Sequence, residues 1–421
     1  MIHRLRFAIR KRAPLAYALL LSVLAFLWRR VMFRTTFIAI TGSVGKTSST
    51  ACLSTILSAY GATNWEPGGG NNRTTLSRIL LRTRFRHRFT VIEVGTRAPG
   101  ALRRAAWMIA PDIAVVLRVL NVHSNAFPTL DDMAAEKAQL LSRLGKRGRA
   151  VLNADDPRVL AMADSCPGQI HTFGISPASF LVADQVSAVW PQRLSFQARC
   201  GGQISQIETN FPAEHLLPSV LAALTTAIVC GLSLEQAATV IKTVQPVPGR
   251  MDPVLLPSGA WVIRDDFNST LPTLLAGLEF LAQAQALRRI VVMGDVLDSG
   301  LTVRPRARDL GQRVAKVADL VVFLNEEGRL SARTAVDAGM TEASVRSYRD
   351  LKEAAAFLKS ELRPDDLVLT HGWQGRHIER LILSQLGEIG CWMARCPKVL
   401  PCEMCTELKL VRFPARLHAL P

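Results

Sequence analysis

Residues 37–49 read FIAITGSVGKTSS, and this stretch decides the fold. The four apolar residues at its start suit a buried strand, and the glycine-bearing loop that follows carries Lys46 and Thr47 and opens a helix. Backbone N–H groups at a helix start attract a phosphate, a lysine there pairs with β/γ oxygens, and the Thr47 hydroxyl suits Mg²⁺. The general P-loop pattern wants a glycine five residues before the Gly-Lys pair, where Ile40 stands. The chain has the shorter G-x-x-G-K-T form, with Gly42, Ser43, Gly45, Lys46, Thr47 and Ser48 as the expected nucleotide contacts. The plainer alternative is a turn with a solvated lysine. The strand before the loop and the helix after it favour the nucleotide.

Working outward, FTVIEV (89–94), IAVVLRVL (113–120) and AVLN (150–153) read as further buried parallel strands. SFQARC and QISQIET, between 195 and 209, look strand-like, and LLPSVLAALTTAIVCGL is a strongly apolar helix. A second series follows with WVIRDD (261–266), RRIVVMGD (288–295), ADLVVFL (318–324) and DDLVLTHG (365–372). Strands alternating with helices imply an α/β fold: a P-loop-type central ATPase domain with a parallel sheet, then a C-terminal Rossmann-like α/β domain. The prolines and glycine of Gln245-Pro246-Val247-Pro248-Gly249 suit a hinge. Expected segments are 1–36, basic and apolar; 37–247, the ATP-binding domain; 248–390, the C-terminal domain; and 391–421, a Cys-rich tail.

The net charge is +17, and its distribution says more than its size. No acid precedes Glu66, whereas nine bases do, from Arg4 to Lys46. Between Arg12 and Arg29 lie sixteen uncharged residues, APLAYALLLSVLAFLW, short of the roughly 20 needed to span a bilayer. No small-residue cleavage site follows, which argues against a signal peptide. A span leaving the body in the cytosol would also place Arg4, Arg6, Arg10, Lys11 and Arg12 outside. The expectation is a segment lying in the cytoplasmic leaflet of the inner membrane, with arginines at the headgroups; the alternative is a helix packed on the body. The bases bring no recognition module or stacking pattern, so nucleic acid is not an expected partner.

In order along the chain stand GGGNN (68–72), VIEVGTRAPG (91–100), VHSNAF (122–127), AAEKAQLL (134–141), VLNADDP (151–157), PGRMD (248–252), VIRDDFNST (262–270) and VVMGDVLDSG (291–300). With TGSVGKTSS, this series resembles the Mur ligase superfamily, the ATP-dependent amide-forming ligases of peptidoglycan synthesis, over roughly residues 37–385. VLNADDP and GDVLDSG bring it closest to the branch that adds D-alanyl-D-alanine to a UDP-muramoyl-tripeptide. The resemblance implies ATP and Mg²⁺, an acyl-phosphate intermediate, a small-molecule carboxylate acceptor, and an amino acid or dipeptide as the amine. It implies that Lys46 holds the β/γ-phosphates; that Thr47, Glu93, His123 and Lys137 serve the Mg²⁺ ions, Lys137 as a carbamate; and that Arg250, Asp265 and Asn268 reach the nucleotide when the domains close. A cell-wall or surface-polymer precursor is then the expected substrate, in the cytoplasm at the membrane face. The other class of reading is a Mur-like nucleotide-binding scaffold without turnover.

Three departures qualify this. Only 36 residues precede FIAI, where complete relatives carry a UDP-sugar domain, an arrangement that also resembles poly-gamma-glutamate synthase. After His215, Leu216 and Ser219 replace two adenine-side asparagines. His371-Gly372-Trp373-Gln374 replaces a Lys-Gly-Ser-Arg run for the incoming amine. The arginines at 73, 78, 82, 84, 86 and 88 suit either an anionic substrate or phospholipid, or form a solvated face. Cys52, Cys166, Cys200 and Cys230 read as buried thiols, whereas Cys391, Cys396, Cys402 and Cys405 crowd the tail and can close a Zn²⁺ site. An iron–sulfur cluster or an unmetallated tail are the alternatives.

Overall fold

The computed structural model describes residues 14–67, 70, 72–122, 126–297, 301–324, 326–393, 396, 398 and 401–409. They form two compact units. The first runs through Val186 and adds Ser195–Thr209 and Leu216–Val244; the second takes Ser187–Leu194, Asn210–His215 and the chain from Gln245 onward.

The first unit is built on β1 (Thr36–Thr41), β2 (Thr63–Asn64), β3 (Phe89–Glu93), β4 (Ile113–Val116), β5 (Arg149–Asn153), β6 (Gln169–Gly174), β7 (Leu181–Ser187), β8 (Ser195–Cys200) and β9 (Gln203–Glu208). Their order is β2-β3-β1-β4-β5-β6-β7-β8-β9. β1 lies at the centre of the parallel part, flanked by β3 and β4. Both faces of β1 are buried, which is why its sequence is apolar without alternation. On one face Phe37 and Ala39 join Leu76, Ile79 and Leu80 of the Arg73–Arg82 helix and Leu102, Ala106 and Ile109 of the Ala101–Ile109 helix. The last pair, β8 and β9, is antiparallel.

The apolar run at 113–120 is strand only as far as Val116. Beyond it the backbone turns to serve the loop after β1: Ser43 N–H donates to the Arg118 carbonyl at 2.8 Å, and Leu120 N–H donates to Ser43 Oγ at 2.9 Å. The expectation of a longer strand fails here because the phosphate loop takes these backbone groups.

The basic, apolar N-terminal stretch contains a helix, Pro14–Val31. One side packs on the body: Ala25 is fully buried, Trp28 Nε1 donates to the Thr83 carbonyl at 3.0 Å, and Arg73 Nε donates to Ser22 Oγ at 2.8 Å. Arg29 donates to the carbonyls of Ile109 and Ala110, and Arg30 to those of Trp107 and Met108, so two arginines satisfy the open C-terminal end of the Ala101–Ile109 helix. The opposite side, with Leu19, Leu20, Val23, Leu24, Leu27 and Val31, is exposed. Among the described residues, no helix is long and apolar enough to cross a membrane.

The second unit holds β10 (Asp252–Leu255), β11 (Trp261–Asp265), β12 (Arg288–Met293), β13 (Leu320–Phe323), β14 (Val345–Ser347) and β15 (Asp366–His371), ordered β10-β11-β15-β12-β13-β14. All neighbours are parallel except the edge pair β10–β11. The core gathers Val262, Ile290, Val292, Val322 and Val368 with Ala354 and Leu358 of the Leu351–Glu361 helix. Such a sheet leaves its functional crevice at the carboxyl ends of the strands, where Asp265, Gly294, Leu324 and His371 stand.

Candidate active site

The loop between β1 and the Lys46–Ser58 helix has the shape of an anion cradle. Gly45 is the N-cap at φ 82°, and a Cβ there would lie 2.6 Å from Ser219 Oγ; a Cβ on Gly42 would lie 2.8 Å from Leu117. Glycine is therefore required at both positions. No side chain caps the helix, so its first N–H groups point into the loop, as a phosphate requires. Lys46 Nζ folds over the loop and donates to the carbonyls of Gly42 and Ser43 at 2.8 and 3.1 Å. Ser43 Oγ donates to the Leu120 carbonyl, and Ser48 is buried in the first turn. Ser219, in place of an expected asparagine, donates to the Gly45 carbonyl at 3.3 Å, so the substituted residue braces the loop.

Register delivers the carboxylate. Ile40 pairs with Glu93 across β1 and β3, which sets Glu93 at the strand end nearest the loop. Thr47 Oγ1 donates to Glu93 Oε2 at 2.8 Å, with both residues buried. A hydroxyl and a carboxylate in contact beside a phosphate cradle form a donor set suited to Mg²⁺, so these residues fit the group. His123 lies outside the described residues.

Lys137 ends the Leu130–Ala138 helix and is 2% exposed. Burial, with the charge of Lys46 adding to it and Glu136 opposing, pushes its ammonium down to about 7. The native state therefore binds fewer protons than the unfolded chain between about 7 and the ordinary 10.5, and stability contributed here rises with pH across that window. In CO₂-free buffer, unfolding free energy should rise about 2 kcal/mol more between pH 7 and 9 in wild type than in Lys137→Met. Equal pH dependence, read by denaturant titration, would show that Lys137 is not the group concerned.

Glu136 was not singled out by sequence. Its carboxylate accepts from Gly100 N–H at 2.7 Å and Leu102 N–H at 2.8 Å, capping the Ala101–Ile109 helix and fixing the loop after β3. The S/T/D/N cap signal is absent because the cap comes from another helix.

In the second unit, Arg250 lies 4.8 Å over the Phe267 ring, Asp265 closes β11, and Asn268 is exposed in the same loop. Asp265 Oδ2 is 3.0 Å from Nδ1 of the fully buried His371, its register partner on β15. The residue standing for the family lysine thus engages the residue expected at the ribose. A cavity of about 410 Å³ is lined by Leu324, Glu326, Arg349 and Arg376. Arg376 Nε donates to Asp295 Oδ2 at 2.7 Å.

The four tail cysteines are not gathered: Cys402 turns inward and is buried, while Cys405 Sγ receives Lys398 Nζ at 3.7 Å. The four-thiol zinc site is thereby corrected. Of the scattered thiols only Cys52 is fully buried, and burial pushes it up to about 12; Cys166, Cys200 and Cys230 are half-buried.

Two domain families match the chain, the Mur ligase middle domain over residues 40–227 and the Mur ligase glutamate ligase domain over 249–373. The UDP-N-acetylmuramoyl-tripeptide--D-alanyl-D-alanine ligase of Mycobacterium tuberculosis (strain CDC 1551 / Oshkosh) is 30% identical over 355 residues, 79% of this chain and 69% of that protein. The chain belongs to the Mur ligase family. It is accordingly an ATP-dependent amide-forming ligase, and Mur ligases in general use ATP and Mg²⁺. The ligase of the same name from Escherichia coli (strain K12) is 26% identical over 65% of this chain and 60% of that protein. Among solved structures, MurF from Acinetobacter baumannii matches with a TM-score of 0.80 at 23% identity, covering 88% of this chain and 80% of that one. MurF from Thermotoga maritima in complex with ADP gives 0.75 at 20%, covering 87% and 82%. These last two establish the fold.

Proposed function

We propose that this Mur ligase joins a small-molecule carboxylate, from a cell-wall or surface-polymer precursor, to an amino acid or dipeptide, working in the cytoplasm at the membrane face. The observation that carries the ligase chemistry is the Thr47–Glu93 contact beside the Lys46 loop, with buried Lys137 in the same unit. When bound, ATP supplies the phosphoryl group that turns the carboxylate into an acyl phosphate, which the amine displaces as the C–N bond forms and phosphate leaves. Lys46 and the first N–H groups of its helix hold the phosphates, and Thr47, Glu93, His123 and Lys137 serve Mg²⁺. A Lys137 amine that is substantially neutral near pH 7 suits reaction with CO₂, giving a carbamate and a proton. Arg250, Asp265 and Asn268 are assigned to the nucleotide by the family likeness.

Glu326, Arg349 and Arg376 offer charges of both signs around one cavity, which suits the carboxylate and ammonium of the amine component. Phosphate release from ATP, measured with a panel of carboxylates and of D-amino acids and dipeptides, tests the reading. Turnover requiring both components is expected; nucleotide binding without product under any pairing would overturn it.

Membrane contact is supported by the exposed strip Leu19, Leu20, Val23, Leu24, Leu27 and Val31, which occupies one arc of the helix. Phe33, Phe85 and Trp107 are exposed too, and Arg34, Arg84 and Arg86 are available to headgroups. The double variant Leu20→Glu/Leu24→Glu should abolish flotation with anionic liposomes while leaving melting unchanged, since both residues face solvent. Equal flotation of variant and wild type would remove this face from consideration.

A further inference from the structure

Three buried side chains outside the ligase chemistry meet in the second unit. His377 directly precedes the turn into the Glu379–Leu386 helix, Glu379 is that helix's first residue, and Cys402 opens a short turn in the tail. They are 2%, 4% and 5% exposed. His377 Nδ1 lies 2.8 Å from Glu379 Oε1 and 3.4 Å from Cys402 Sγ, and one ligand atom from each residue falls within 4.8 Å of the other two. Zinc bonds of about 2.0 Å to nitrogen and 2.3 Å to sulfur, in tetrahedral array, separate those two atoms by roughly 3.5 Å. The nitrogen–sulfur spacing already has this value.

The surroundings are those of a ligand set. His377 Nε2 lies 3.0 Å from the Lys398 carbonyl; a proton donated there leaves the Nδ1 lone pair facing the other two groups, the usual outer arrangement of a metal-bound histidine. Glu379 Oε1 accepts from Cys402 N–H at 3.2 Å, whereas Oε2 is buried with no hydrogen-bond partner among the described residues. Such an oxygen is costly unless a cation meets it. Arg380 Nε donates to Cys402 Sγ at 3.4 Å, which favours the thiolate. A cavity of about 10 Å³ lined by His377, Glu379 and Pro401 has room for one water.

We propose that His377, Glu379 and Cys402 bind one Zn²⁺, with a water from this cavity completing the tetrahedron. Nitrogen, oxygen and sulfur donors together select zinc over Mg²⁺ or Ca²⁺, which take oxygen. Binding displaces the thiol proton and any proton on Nδ1. It ties the tail to the Glu379–Leu386 helix, beside the apolar cluster of Leu383, Ile389, Cys402 and Leu408. Pro248, two residues before Arg250, lines the same small cavity, so the staple sits against the loop that carries that arginine.

Full-length protein prepared without chelator should contain one zinc per chain by elemental mass spectrometry. Cys402→Ser and His377→Gln should each bring zinc to near zero, and Cys391→Ser and Cys396→Ser should leave it unchanged. As a measurement that needs no variant, chelator-stripped wild type should take up one equivalent of Co²⁺ with a thiolate charge-transfer band, and one thiol should become protected from alkylation. Stripped wild type that takes up neither Zn²⁺ nor Co²⁺, or Cys402→Ser with wild-type zinc, would overturn the proposal. Equal loss in Cys391→Ser would do so too, by returning the metal to a four-thiol site.

Discussion

Lys46→Ala is expected to lower ATP turnover about 100- to 1,000-fold, the usual effect of removing one fixed donor from developing transition-state charge. The argument rests on where the ammonium is held. Its hydrogen bonds to the Gly42 and Ser43 carbonyls keep it over the loop whose N–H groups face the same phosphate, so little reorganisation is needed when charge develops. Stability should change by about 1 kcal/mol, since the lost hydrogen bonds are to a partly exposed loop. A second readout separates this from mere distortion: without the charge of Lys46, the Lys137 ammonium should titrate higher, shifting the alkaline stability rise upward in pH. Turnover within about tenfold of wild type would place the phosphate contacts elsewhere.

Arg264→Met should destabilise the protein by about 3–5 kcal/mol, because it strips the cation from a buried acidic cluster. Arg264 is 4% exposed; its guanidinium contacts Asp266 at 3.2 and 3.3 Å, pairs with Glu403 of the tail, and lies 3.9 Å from Asp252. Burial pushes the Asp252 carboxyl up to about 7 and that of Asp266 up to about 6, despite the arginine. For a carboxyl raised in this way the native state binds more protons than the unfolded chain from about 4 to about 7, so stability falls as pH rises through that window. Without Arg264 the fall steepens, and the deficit of the variant should shrink as pH drops toward 5. Denaturant titration at several pH values checks both size and slope. A deficit below about 1 kcal/mol, or one indifferent to pH, would mean that the cluster is not held by this arginine.

The phosphate loop was legible because its requirements are local: a strand end, two glycines without room for a Cβ, and a helix start. Glu93 was legible for a related reason, being a carboxylate at the end of a buried strand. Groups supplied from distant parts of the chain were not. Glu136 caps a helix 35 residues before it in the sequence, His371 meets Asp265 only through strand register, and Ser219 reaches Gly45 from another helix. Short strands also escaped, since β2 has two residues and β14 three, too few to show a period. The tail misled for the opposite reason: cysteine spacing suggested a closed thiol set, but Cys402 finds its neighbours on the Glu379–Leu386 segment instead.

The clamp on the N-terminal helix has a mechanical consequence. Arg29, Arg30 and Trp28 fasten it to carbonyls of the body, and only four residues separate its end from β1, the strand that leads into the Lys46 loop. The exposed leucine strip therefore cannot swing as an anchor on a tether. Whatever surface receives it takes the whole first unit in one orientation, with the Lys46 loop at a set height and angle, so the enzyme would meet its substrates as a fixed tool rather than a leashed one.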